Sequence, residues 1–229
     1  MRGQPRPQRP LTASLALVLA ICCGISGCAY QAGREQPPPA AKPPAPVVMV
    51  LGDSFTVGSG PVRPWETYAA EAARRLGWQL VVAGAAGTGF VNRGRVGRDF
   101  RESYAEELSW RPAPDMLIIS GGHNDRRVAP ARVHAAARRL LADVRETWPA
   151  TRIIVVGPLW VADPPAWAFD VKDAVATAAA GAGATFLDPL ARRHVAGDPA
   201  VALLPDGVHP TFTGHVRLAR WLVGALENG

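Results

Sequence analysis

The sequence predicts a three-layer α/β/α sandwich built on a mainly parallel five-stranded sheet, and three observations predict it. Five short apolar runs recur along the chain, each too short for a helix. Amphipathic stretches of helical period lie between and after them. Segments rich in Gly, Ser, Asn and Asp follow the apolar runs, as turns at one edge of a βα sheet do. Such a βα alternation means parallel strands with helices above and below.

From the N-terminus, residues 1–27 read as a secretion signal. Arg2, Arg6 and Arg9 form a basic start without an acidic residue, and Leu11 to Ile25 is an apolar run too short to span a bilayer comfortably. The run ends in Ile25-Ser26-Gly27-Cys28, which resembles the bacterial lipobox. That resemblance implies a lipidated Cys28 as the new N-terminus, and with it export and attachment to the outer face of the bacterial cytoplasmic membrane. A conventional cleavage site nearby and an uncleaved anchor are the alternatives. Residues 28–46 continue as a proline-rich linker, since six of the fourteen residues from Gly33 to Pro46 are proline and almost nothing is there to bury. At ~3.1 Å per residue the stretch from Gly33 to Pro46 could hold the domain roughly 40 Å from its anchor. The folded domain is expected over residues 47–229.

Within it the elements follow in order. A strand over Val47 to Leu51 leads into Gly52-Asp53-Ser54, then a helix near Trp65 to Leu76. A strand over Trp78 to Ala83 runs into the glycines at 84, 87 and 89. The long connection after it carries Arg93, Arg95, Arg98 and Arg101, read as a solvated loop in preference to a patch for an anionic surface. Next come a strand over Asp115 to Ser120, the loop Gly121-Gly122-His123-Asn124-Asp125, and a helix over Pro130 to Trp148 with Leu140, Leu141, Val144 and Trp148 on one face. Strands over Arg152 to Gly157 and Ala184 to Leu187 flank a helix over Ala166 to Ala180, and a last helix spans His209 to Leu226. No heptad persists and no internal repeat is present.

Composition narrows the function. Of the 229 residues 25 are Lys or Arg and 19 Asp or Glu, and losing the three signal arginines brings the formal charge from +6 to about +3, too mild to argue for nucleic acid. Cys22 and Cys23 lie inside the signal, so the exported domain has no cysteine pair and relies on its core. His134, His194 and His215 lack metal-ligand spacing, and neither a metal nor a cofactor is expected. A single catalytic domain, acting as a monomer, is the expectation.

The chemistry-bearing residues lie just past strands or ahead of the last helix. Ser54 follows the first strand, and Asp206 and His209 return from the far end of the chain in Asp206-Gly207-Val208-His209-Pro210. A serine, a histidine and a carboxylate are the parts of an activated hydroxyl nucleophile, which makes acyl transfer to water the first hypothesis. A lone serine after a strand is more often a helix cap, and an Asn in a Gly-rich loop is as able to brace a turn as to bind an oxyanion. Asp53 and Asp125 read as loop residues held by local backbone hydrogen bonds. Phe90, Trp160, Trp167 and Val208 are candidates to line a substrate pocket, with core or rim packing an equal alternative for the tryptophans.

Taken together, Gly52-Asp53-Ser54, Gly87 within Ala86-Gly87-Thr88, Gly122-His123-Asn124-Asp125 and Asp206-x-x-His209 make the chain from Val47 onward resemble the SGNH hydrolases, or GDSL-type esterases and lipases. The resemblance implies a flavodoxin-like sandwich and a serine esterase with Ser54, Asp206 and His209 as the catalytic set. It implies an oxyanion hole made by the Ser54 and Gly87 backbone N–H groups and the Asn124 amide, and it selects Gly87 over the neighbouring glycines. It gives His123 the family's variable position, in contact with substrate or with water. The expected substrate is a carboxylic ester of a carbohydrate, lipid or small molecule, with a short acyl chain. Two rivals stay open from the sequence: an acyltransferase that passes the acyl group to a glycan hydroxyl, and a non-catalytic module that binds glycan in the same cleft.

Overall fold

A computed structural model describes residues 43–191 and 198–228. The signal over residues 1–27, Cys28, His194 and the linker up to residue 42 lie outside the described residues.

Five strands, β1 (Val47–Gly52), β2 (Gln79–Gly84), β3 (Met116–Ser120), β4 (Arg152–Val156) and β5 (Thr185–Leu187), form one sheet in the order β2-β1-β3-β4-β5, with every pairing parallel. Alternate side chains serve opposite faces. Met49, Leu51, Leu117, Ile119, Ile153 and Val155 enter one core. Val48, Val50, Met116, Ile118, Ile154 and Val156 enter the other. With both faces covered, every residue of β3 is buried, which is why its sequence is apolar with no polar alternation.

The first core is closed by α4 (Pro130–Thr147) and α5 (Ala166–Gly181) together with Phe100 and Tyr104. On α4 the buried residues Val133, Ala136, Ala137, Leu140, Leu141 and Val144 recur at helical spacing, and on α5 small residues such as Ala174, Ala178 and Ala179 do the same. The second core is closed by α2 (Tyr68–Leu76) and α7 (Phe212–Glu227), through Tyr68, Ala69 and Ala72 against Leu218, Ala219 and Leu222. Short helices α1 (Ser54–Val57), α3 (Phe100–Ser103) and α6 (Pro199–Ala202) complete the set.

Three expectations are corrected. The helix expected from Trp65 is divided: Pro64–Glu66 is a single 3₁₀ turn, and Thr67 then caps α2 by accepting from the Ala70 N–H. The last helix starts at Phe212, after Thr211 accepts from the Gly214 N–H, which leaves His209 in the preceding loop. The Arg93 to Arg101 stretch is solvated at Arg93, Arg95 and Arg101 as expected, but it is not all loop. It runs into a helical segment, α3 continued by a π-helical turn over Tyr104–Leu108, whose start is fixed by Asp99 accepting from the Glu102 N–H while the Glu102 carboxylate accepts from the Asp99 N–H. Arg93 pairs with Glu102, Arg98 with Glu106 and Arg101 with Asp143, so much of the positive charge is matched within the fold.

Sheet order decides where a site can form. From β1 the chain moves outward to β2, then crosses back to lay β3 on the other side of β1. The loops leaving β1 and β3 therefore diverge and leave a crevice at the carboxyl edge. In register, Gly52 stands beside Gly84 of β2 and Ser120 of β3, so three loops leave the sheet side by side.

Candidate active site

Ser54 is the first residue of α1, directly past β1. Asp53 caps that turn: its Oδ1 accepts from the Phe55 N–H at 3.0 Å. The approach of β2 is close, because a Cβ added to Gly84 would lie 2.0 Å from the Gly52 carbonyl oxygen. Only glycine permits the two strand ends to meet there.

The returning loop brings the acid and base. Leu203 bridges to Pro210, and the Leu204 N–H donates to the His209 carbonyl at 2.8 Å, closing a tight turn. Inside it Asp206 Oδ1 accepts from the N–H groups of Val208 at 2.9 Å and His209 at 3.0 Å, while Oδ2 meets His209 Nδ1 at 2.7 Å. The other ring nitrogen, Nε2, lies 2.9 Å from Ser54 Oγ, across 155 residues of chain. With Nδ1–H donated to the carboxylate, Nε2 is left as acceptor for the serine hydroxyl. Desolvation alone would raise the Asp206 pKa, but hydrogen bonds from the His209 ring and from the two backbone N–H groups outweigh it and hold the carboxyl at about 2. The acid is therefore a fixed anion at neutral pH.

Loops after β2 and β3 lie beside the serine. Gly87 has φ +80°, the left-handed region, so glycine is required there for its backbone conformation, while a Cβ would meet nothing nearer than Gly94 Cα at 3.8 Å. Asn124 does not bond only its own loop. Its Nδ2 donates to the Thr88 carbonyl at 2.9 Å and, at 3.4 Å, to Asp53 Oδ2, tying together the loops that leave β1, β2 and β3.

Asp125 is also not held locally. It is fully buried and accepts from the N–H groups of Phe90, Val91 and Asn92, at 2.9, 3.0 and 2.9 Å and 33 to 35 residues earlier in the chain. Burial raises its pKa against the pull of those three donors. Asp53 is raised further, to about 7, first by burial and then by the nearby Asp125 charge, with the Phe55 N–H opposing.

A cavity of about 220 Å³ opens next to the His209 turn, lined by His123, Arg126, Trp160, Trp167, Leu203 and Val208 among others. His123 stacks on Trp160 with ring centroids 4.3 Å apart, and Trp167 meets Trp160 edge-on at 5.3 Å. Burial lowers the His123 pKa to about 4, so the stacked ring is neutral near pH 7. Trp160, Trp167 and Val208 thus line the pocket. Phe90 does not: it is 2% exposed and packs edge-on against Phe100 in the core.

Sequence reasoning missed the polar contacts beneath the serine. Thr56 Oγ1 lies 3.0 Å from the Tyr68 hydroxyl, and the Tyr68 N–H donates to Nδ1 of buried His215. No local pattern marks these, since Tyr68 and His215 lie 147 residues apart.

The model of the GDSL-like Lipase/Acylhydrolase family matches residues 50–217, a span that starts within β1, before Ser54, and ends past His209. The chain belongs to that family. A relative from Mycobacterium tuberculosis, described as a GDSL lipase, is 28% identical over 222 residues and covers 90% of each chain. Among solved structures, this GDSL-family domain is similar to a carbohydrate esterase family 2 enzyme of Corynascus thermopiles (Myceliophthora fergusii), with TM-score 0.65 and 21% identity over 82% of this chain and 68% of that one. It is also similar to an aryl esterase of M. smegmatis, with TM-score 0.60 and 20% identity over 80% of this chain and 99% of that one. Membership of the GDSL-like lipase/acylhydrolase family makes the chain a hydrolase of ester bonds, and the similar structures share its fold, built on a five-stranded parallel sheet.

Proposed function

We propose that this GDSL-family hydrolase is an exported serine esterase, anchored to the outer face of the bacterial cytoplasmic membrane through a lipidated Cys28, and that it works through an acyl-Ser54 intermediate. The Ser54 hydroxyl attacks the ester carbonyl while His209 Nε2 takes its proton. Negative charge on the carbonyl oxygen is met by the N–H groups of Ser54 and Gly87 and by the Asn124 amide. As the C–O bond breaks, His209 returns the proton to the departing alcohol. Water then attacks the acyl-serine, losing its proton to His209, and His209 Nε2 gives that proton to Ser54 Oγ as the acyl C–O bond breaks and the acid leaves. Asp206, ionised down to about pH 2, holds one tautomer of the ring and stabilises the imidazolium in both halves.

The observation that carries this reading is the continuous relay Asp206–His209–Ser54, with contacts of 2.7 and 2.9 Å. Those distances are within direct proton-transfer reach. A cavity of about 220 Å³ favours a short acyl group or a compact alcohol. Its Trp160–His123 wall suits the flat face of a sugar or an aryl ring, in keeping with the carbohydrate and aryl esterases of similar fold. Export and anchoring are supported by the basic start, the apolar Leu11 to Ile25 run and the Ile25-Ser26-Gly27-Cys28 sequence.

An ester panel graded in acyl length, with acetylated sugars and aryl esters among its members, tests the substrate class on the soluble domain. Labelling with a serine-directed phosphonate tests the nucleophile. The expected adduct sits on Ser54, and an adduct elsewhere, or a Ser54→Ala variant still active, would overturn the mechanism.

A further inference from the structure

Asp53 joins two parts of the site that the mechanism treats separately. It is 3% exposed, between β1 and Ser54. Its Oδ1 caps α1, the turn that presents Ser54, while its Oδ2 faces Asn124 Nδ2 at 3.4 Å. An amide nitrogen carries two hydrogens. The Thr88 carbonyl takes one at 2.9 Å, and Asp53 holds the other more loosely. We infer that Asp53 is a positioning residue whose single carboxyl group aligns nucleophile and oxyanion donor, its Oδ2 acting as a placeholder acceptor that the oxyanion displaces. The inference rests on the reading of Asn124 as an oxyanion donor.

The choice of residue argues the same way. A cap for a four-residue helix needs one acceptor, and Ser or Thr supplies it without burying a carboxyl. The chain instead keeps a carboxyl that burial and Asp125 push up to about 7, an unfavourable group to enclose. What the carboxyl adds over a hydroxyl is a second oxygen aimed at Asn124.

Two variants test this. Asp53→Asn retains one acceptor oxygen; with that oxygen on the Phe55 N–H, its amide nitrogen confronts Asn124 Nδ2, donor against donor. Asp53→Ser keeps a cap and offers Asn124 nothing. Each is expected to lower kcat by about 10-fold to 100-fold with KM within about twofold of wild type, because only the alignment of a transition-state donor is lost. At neutral pH the relief of the enclosed carboxyl offsets the unpaired Asn124 donor, so melting temperatures are expected at or above the wild-type value. Adding Asn124→Ala to Asp53→Asn is expected to cost little more than Asn124→Ala alone, since both act on one interaction. Wild-type kcat in both variants, losses that multiply in the double variant, or early melting in both would assign Asp53 to the cap alone. In each of those cases a slow Asn124→Ala enzyme leaves the oxyanion reading standing. Wild-type kcat in Asn124→Ala would remove the oxyanion reading, and this inference with it.

Discussion

Replacing Asp125 by Asn removes one oxygen from the anchor of the loop that follows β2. The carboxylate uses Oδ1 for the N–H groups of Val91 and Asn92, and Oδ2 for that of Phe90, the most buried of the three. Asparagine keeps the first pair through its carbonyl but turns an NH₂ toward the Phe90 N–H in a site without solvent. A buried donor left unsatisfied costs about 1 to 3 kcal/mol, while the enclosed carboxyl that Asn replaces was itself unfavourable, so the net loss is set at about 2 kcal/mol. For a domain of this size that lowers Tm by about 4 to 8 °C. Asp125→Ala, which orphans all three donors, should lose more. Scanning calorimetry or urea unfolding of the soluble domain measures both. Since the same loop carries the Thr88 carbonyl that holds Asn124, kcat should fall as well. An Asn variant that melts with the wild type would mean that the three bonds only offset the burial of the charge, and the anchoring argument would be wrong.

Other outcomes follow from the same geometry. Ser54→Ala should slow ester hydrolysis by several orders of magnitude, and adding His209→Ala should cost little more, because members of one relay are non-additive; two independent, multiplying losses in steady-state kinetics would count against the relay. Mass spectrometry of the mature N-terminus from a bacterial host should find lipidated Cys28, and an unmodified residue other than Cys28 at that end would remove the lipoprotein reading. Asp53 gives a pH dependence of known sign: its folded pKa, about 7, lies above the ordinary 3.8, so the folded chain holds the proton more tightly. Its cost to stability is therefore absent below about pH 4 and grows as pH rises toward 7. Urea unfolding across that range should show Asp53→Asn gaining on the wild type with rising pH, and parallel curves would contradict the raised pKa.

The strands were legible to within a residue or two because β1, β3 and β4 are apolar runs buried on both faces, a property a single sequence carries directly, and the half-buried edge strands β2 and β5 keep enough of the same apolar character. The edge at which these loops leave the sheet followed from the βα alternation; Ser54, Asp206 and His209 are in hydrogen-bond contact there, and Asn124 reaches Asp53, the neighbour of Ser54. What could not be read has a common cause in distance along the chain. Asp125 looked like a loop residue because its partners lie more than thirty positions back. Phe90 looked available for substrate because its cover, Phe100, belongs to a helical segment that arginines disguised as loop. That segment did carry a local signal, the Asp99-x-x-Glu102 capping pattern ahead of it. The start of α7 was also marked, by Thr211 after Pro210.

The acid and base share one turn, three residues apart, whereas base and nucleophile are separated by 155. Chain closure grows only logarithmically with length, yet the difference between these two loops still comes to about 3.5 kcal/mol. During folding, the Asp206–His209 pair can assemble from its own short segment well before Ser54 arrives. Turnover begins only when the first strand and the final turn have found each other. Regain of esterase activity after dilution from denaturant therefore times an encounter between residues 155 positions apart, and spectroscopic recovery that runs ahead of it would expose a folded but silent intermediate.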